Sequence, residues 1–213
     1  MSNSQPNSRT KLFKVALLSF IVVIGFLFYF NQQSMVDNEN YRTTILEKRK
    51  ETDSFMRTSE SSPFTDSLLS SYNGLTYFEP DPEYRVQAII NRIEIKEQLI
   101  IPTSDSQKQR YEKFAYADFK LKGERHRLLL LKPIGFGPSE VIFTAFADAT
   151  SGESTYGGGR YLDLKFKNAR QITIDFNLAY NPFCAYNATF SCPLPPKENI
   201  LPIAIEAGEK DYQ

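Results

Sequence analysis

Hydrophobic and polar positions divide the chain into three stretches of different period. From Val15 to Phe30 the sequence is an uncharged run of 16 residues broken only by Ser19 and Gly25, and Leu12 and Phe13 extend it beyond Lys14. At about 1.5 Å per residue, a helix from Leu12 to Phe30 reaches roughly 28 Å, close to the thickness of a hydrocarbon core. From Asn31 to Ser62 apolar residues thin out, and Tyr41, Ile45, Leu46, Phe55 and Met56 recur at spacings that fit one helical stripe. After Asp81-Pro82 the period becomes two. Val86, Ala88 and Ile90, then Leu162, Leu164 and Phe166, then Ile172, Ile174 and Phe176 alternate with polar neighbours, as half-buried strands do. Leu128–Leu131 and Val141–Ala147 are short apolar runs, the mark of strands covered on both faces.

These periods predict an organisation. Residues 1–11 form a cytoplasmic tail, 12–30 a transmembrane signal anchor, 31–62 a juxtamembrane helix and linker, and 63–213 an extracytoplasmic domain. Turn signals at Lys122-Gly123-Glu124, Gly135–Pro138, Ser151-Gly152, Gly157–Gly159 and Asn168 separate the strands at about ten-residue intervals. The expected fold is mainly β, an antiparallel β-sandwich or partly open barrel of about seven to nine strands preceded by the two helices. Arg9, Lys11 and Lys14 precede the apolar run and Asp37 and Glu39 follow it, which orients the N-terminus to the cytoplasm and makes the membrane the first expected partner. A cleaved secretory signal is the competing reading, but no small-residue cleavage site follows Phe30.

Composition narrows the function. The chain has 25 basic and 25 acidic residues, and the first 30 residues hold three of the bases and no acid, so the remainder carries 22 bases against 25 acids. That balance argues against a nucleic-acid partner. A single His rules out multi-His zinc or copper sites within one chain, so any metal would rest mainly on carboxylates or on the two thiols, and the cofactor is unknown. His126, between Arg125 and Arg127, lacks the nucleophile elbow of a Ser hydrolase and reads as structural. Asn187-Ala188-Thr189 fits a glycosylation acceptor but sits in a chain of bacterial anchor architecture.

Two stretches read as more than scaffold. Phe146–Asp163 contains three consecutive glycines followed by Arg160, an arrangement suited either to an anion or to a tight hairpin in which Arg160 pairs with Asp148 or Asp163. Asp175–Asn199 is long, rich in Asn and Pro, and carries enough aromatics to pack as a lid or wall. Cys184 and Cys192 lie within it, enclosing seven residues, and fit a disulfide in an oxidising compartment, with packed free thiols or a redox or metal centre as alternatives. The expected ligand-binding set is Asp148, Tyr156, Arg160, Tyr161, Asp175, Asn177, Tyr180, Asn181, Tyr186, Glu198 and Asn199. In it Arg160 holds an anionic group of a small or extended envelope ligand and the tyrosines stack or hydrogen-bond. An envelope hydrolase using Asp148, Asp163, Asp175 or Glu198, and a pocketless interaction module, are the other two readings.

The wording of these stretches is specific. Tyr84-Arg85-Val86, Ile101–Ser104, Asp148–Gly152, TYGGGRYL from Thr155 to Leu162, Asp175-Phe176-Asn177, AYNP from Ala179 to Pro182, Cys184-Ala185-Tyr186, Cys192–Pro196 and Glu198-Asn199 follow one another in an order that resembles a bacterial family catalogued as domain of unknown function 1684. The resemblance spans roughly Tyr41 to Glu209 and implies a compact β-rich domain, without an assigned reaction. Ser106 departs from it, since the family continues Ser-Asp with Gly.

Overall fold

The computed structural model describes residues 8–134, 141–166 and 170–212. The turn at Gly135–Pro138 and the Asn168 turn lie outside them. Helix α1 runs without a break over Ser8–Thr58, where the pattern predicts two helices, and it stops before the Ser-rich segment that precedes Pro63. Two compact units divide the chain at Thr44/Ile45. In the first, the described apolar residues between Phe20 and Tyr29 are exposed, from 49% for Ile24 to 64% for Phe28. In this unit the side chains of residues 8–19, 21, 30, 31 and 34 are outside the described set. Among the described residues no helix is long and apolar enough to cross a membrane, so the anchor remains an expectation from sequence.

The second unit is built on one antiparallel sheet of seven strands: β1 Arg85–Arg92, β2 Gln98–Pro102, β3 Lys108–Leu121, β4 Glu124–Pro133, β5 Val141–Phe146, β6 Arg160–Lys165 and β7 Gln171–Asp175. The order is β6-β5-β4-β3-β1-β7, with β2 added along the far half of β3. At 14 residues β3 is long enough to pair with β1, β2 and β4, and a register shift between Lys113 and Ala115 bends it. The bent sheet curls into a half-barrel. Its edge strands β6 and β7 face each other across an open cleft of about 320 Å³ lined by Leu162, Leu164, Phe166, Ile172 and Thr173.

Alternation in sequence becomes the two faces of this sheet. Val86 and Ala88 of β1, Leu128 and Leu130 of β4, Leu162 and Leu164 of β6, and Ile172 and Ile174 of β7 point inward and join Phe114, Phe119, Phe146 and Phe176 in the main core. Leu129 and Leu131 point the other way, yet are buried with Ile101 and Tyr111 in a second cluster. The continuous apolar run of β4 is therefore covered on both faces, as its sequence predicts.

The chain after β7 has no long element. It makes short 3-10 turns at Phe176–Leu178, Phe183–Ala185 and Lys197–Asn199, and returns along the barrel mouth. There Leu201 N donates to Ala147 O at 2.8 Å, Phe78 N to Gly208 O at 3.0 Å and Lys210 N to Thr76 O at 2.9 Å. Such a segment needs side-chain partners to satisfy its backbone, which its four asparagines help to supply.

Candidate functional site

Most of the polar residues singled out in the sequence hold this returning segment in place. Arg160 is fully buried and forms an ion pair with Asp148 at 2.8 Å. Its guanidinium also donates to the carbonyls of Ile205 at 2.9 Å, Glu209 at 3.3 Å and Ala207. Burial pushes the Arg160 pKa down against the opposing pull of Asp148. Asp148 in turn accepts from Thr150 N, Thr150 Oγ1 and Ile205 N. Arg160 thus takes the alternative of pairing with Asp148 rather than the expected role of anion holder: its two terminal nitrogens are spent on that carboxylate and on the protein's own carbonyls, Nε has no hydrogen-bond partner among the described residues, and the side chain is fully buried. The adjoining glycines are not an anion nest either. Gly159 has φ +84°, and a Cβ there would lie 2.5 Å from Pro195 Cγ and 2.6 Å from Phe146 O, so this Gly allows backbone to approach backbone.

The asparagines act similarly. Asn199 is fully buried between β4 and β5, where its Oδ1 accepts from Leu129 N at 2.6 Å and its Nδ2 faces Leu129 O, Ala145 O and Thr144 Oγ1 at 2.9–3.0 Å. It substitutes for ladder bonds where β4 and β5 separate, since the register shared by these strands is Leu131 opposite Phe143. Asn177 brackets Asp81, accepting from its N at 2.9 Å and donating to its O at 2.7 Å. Asp175 accepts from Asn177 N at 3.1 Å and lies 3.9 Å from Arg85. Tyr161 donates to Pro193 O at 2.6 Å, and Tyr180 to Asp163 at 2.9 Å. Glu198 is on the surface, 3.7 Å from Lys113. Thus the acids proposed for a hydrolase each have separate partners.

A different acid stands out. Glu209 is 1% exposed, and its carboxylate accepts from Asn181 N and Nδ2, both at 3.0 Å, and from the Tyr186 hydroxyl. Burial raises its pKa to about 7, although Tyr186, Asn181 and more distant Arg160 favour the charged form. Asn181 and Tyr186 were in the expected set, whereas Glu209 was not. It follows Ala207-Gly208, a pair without periodicity, and nothing local marks it as buried.

Glu209 lies at the floor of a cleft of about 220 Å³ within the Ile45–Gln213 unit. The last turns of α1 supply Lys48, Arg49, Thr52, Phe55 and Met56, and Tyr77, Leu178, Ala179, Tyr180 and Phe183 complete the wall. Ile45 and Met56 are buried and Phe55 stacks on Phe183 at 6.4 Å, so this end of α1 packs as a stripe at helical spacing. The Arg49 guanidinium lies 4.5 Å over the Tyr77 ring and donates to Phe78 O at 2.8 Å. The cleft thus combines the basic Lys48 and Arg49, an aromatic wall and a buried carboxyl whose pKa burial raises. Among the described residues no group of three or more His, Cys, Asp or Glu could hold a metal.

The two cysteines are a further correction. Both are free, and the expected disulfide is absent: Cys184 N donates to Cys192 Sγ at 3.1 Å, and Tyr156 Oη is 3.8 Å from Cys184 Sγ. Cys192 is buried among Ala145 and Tyr161, with Phe183 and Phe190 beside it.

The family model described as Protein of unknown function (DUF1684) matches residues 70–210. The chain belongs to this family. The solution NMR structure of an uncharacterized protein from gene locus rrnAC0354 of Haloarcula marismortui is 40% identical, covering 82% of this chain and 96% of that one at a TM-score of 0.65. A search of curated proteins found no match. The matched region holds Glu209, Asn181, Tyr186 and Tyr77, whereas the α1 wall of the cleft lies before it.

Proposed function

We propose that this member of the DUF1684 family is a membrane-tethered extracytoplasmic binding domain whose cleft beside Glu209 takes a small amphipathic molecule. The single observation that carries the reading is the placement of a buried, near-neutral-pKa carboxyl at the floor of a cleft with a basic rim. A ligand's anionic or hydrogen-bonding head would lie toward Lys48 and Arg49. Its apolar part would cover Phe55, Leu178 and Phe183, and Glu209 would accept a hydrogen bond when charged or donate one when protonated. The tether rests on the Leu12–Phe30 run and on the exposed apolar side chains of its described part, which water solvates poorly.

The test is ligand-observed NMR of the full chain in detergent against a panel of small aromatic and aliphatic carboxylates. Wild type should give saturation-transfer signals that disappear in Thr52→Trp, a substitution that fills the cleft from the half-exposed helix face. Equal signals in both proteins, or none in wild type, would overturn the site.

A further inference from the structure

A second site lies outside the cleft, where the Cys184–Cys192 loop meets the end of β2. The loop is fixed at its base: Ser104 N donates to Cys192 O at 2.8 Å, Leu194 N to Pro102 O at 2.9 Å, and Cys192 N to Ser104 Oγ at 3.2 Å. The two cysteines are neighbours without a disulfide, the Cys184 amide pointing at Cys192 Sγ at 3.1 Å. Their exposures differ. Cys192 is buried, 7% exposed, whereas Cys184 is intermediate and has the Tyr156 hydroxyl 3.8 Å from its sulfur.

We propose that Cys184 and Cys192 form a dithiol that exchanges with disulfides, with Cys184 as attacking thiol and Cys192 as resolving thiol. The chemistry that recognises the substrate is an accessible disulfide R–S–S–R′ with apolar surroundings, because Phe183 and Phe190 stand beside the pair. In the first step the Cys184 thiolate attacks one substrate sulfur, the Cys184–S–R bond forms, the S–S bond breaks and R′–S⁻ leaves and takes up a proton. Then Cys192 loses its proton and attacks Cys184 Sγ, which forms the Cys184–Cys192 bond and expels R–S⁻, which is protonated in turn. Two electrons and two protons pass from the protein pair to the substrate, which is reduced to R–SH and R′–SH.

The surroundings assign the roles. Hydrogen bonding from Cys192, opposed by burial and helped by the Ser104 and Tyr156 hydroxyls, lowers the Cys184 pKa to about 6, while the same pairing and burial push Cys192 well above the ordinary thiol range. The other titratable groups facing the pair are Tyr161 and Tyr111, whose hydroxyls sense Cys192, and Asp105, whose charge favours the protonated Cys192 thiol. Hydroxyl and thiol donors, rather than a cation, therefore carry the stabilisation of the Cys184 thiolate.

The experiment treats the full chain, reduced and freed of reductant, with glutathione disulfide and separately with the uncharged hydroxyethyl disulfide, and reads intact mass. Wild type should lose two hydrogens and release two thiols per chain. Cys192→Ser should stop at a mixed disulfide on Cys184, and Cys184→Ser should form none or form it at least tenfold more slowly. Faster reaction with hydroxyethyl disulfide supports the apolar-substrate assignment, and faster reaction with glutathione disulfide overturns that part. Iodoacetamide labelling of Cys184 should show a pH midpoint near 6 that moves upward in Tyr156→Phe, a variant that keeps both cysteines. A midpoint at the ordinary thiol value in wild type, or mixed disulfide on Cys192 in preference to Cys184, overturns the proposal.

Discussion

Glu209 is the side chain whose charge the fold controls most directly. Its pKa stands at about 7, raised from the ordinary 4.5 by burial, so between those values the folded protein binds a proton that the unfolded chain has released. The contribution of this group is fully present below about pH 4.5 and is lost as pH rises toward 7, a change of about 3 kcal/mol. Denaturant midpoints across that window should fall with rising pH in wild type more steeply than in Glu209→Gln. Arg160 shows the opposite case of a buried charge with its partner in place. Arg160→Ala would leave Asp148 buried without a counter-charge and three carbonyls without a donor, and should cost about 3–5 kcal/mol in chemical denaturation. A nearly unchanged stability would return Arg160 to the role of ligand holder that the sequence suggests.

Among the elements, the turn between β2 and β3 shows how a departure in wording becomes strain. Ser106 occupies the place where the family resemblance implies Gly, and it adopts φ 65°, with its N donating to Thr103 O at 3.0 Å. A side chain in that left-handed region costs about 1–2 kcal/mol, part of which glycine's greater unfolded-state entropy offsets. Ser106→Gly should therefore raise stability by about 0.5–1 kcal/mol, measured by thermal or denaturant unfolding. The strands themselves were legible because alternation has a direct physical meaning: Val86, Ala88 and Ile174 must face one side of a pleat. Asn199 was legible only as an unusual residue in an unusual loop. Its insertion between β4 and β5 depends on two strands about 55 and 70 residues away and leaves no local pattern.

For the molecule as a whole, the apolar run and the half-barrel belong to different physical problems. Full-length protein expressed in a bacterial host should stay in the membrane fraction after alkaline carbonate washing, and a variant with Val22→Lys and Phe26→Lys should leave it, since two charges within so short a run oppose insertion. Retention of that variant would remove the case for a tether at Leu12–Phe30. Legible without the fold was what depends on neighbours one to four residues apart: the apolar run, the stripe on α1, the strand alternation, the doubly covered β4 and the family wording. Those follow from the periods of helix and strand. Which polar groups are scaffold and which border a cavity emerged with the packed fold, because burial and hydrogen-bond partners are set by segments distant in the chain. Arg160 and Asn199 became internal struts, Glu209 became the buried acid of a cleft, and the two cysteines became a thiol pair, through contacts that no short stretch of sequence contains.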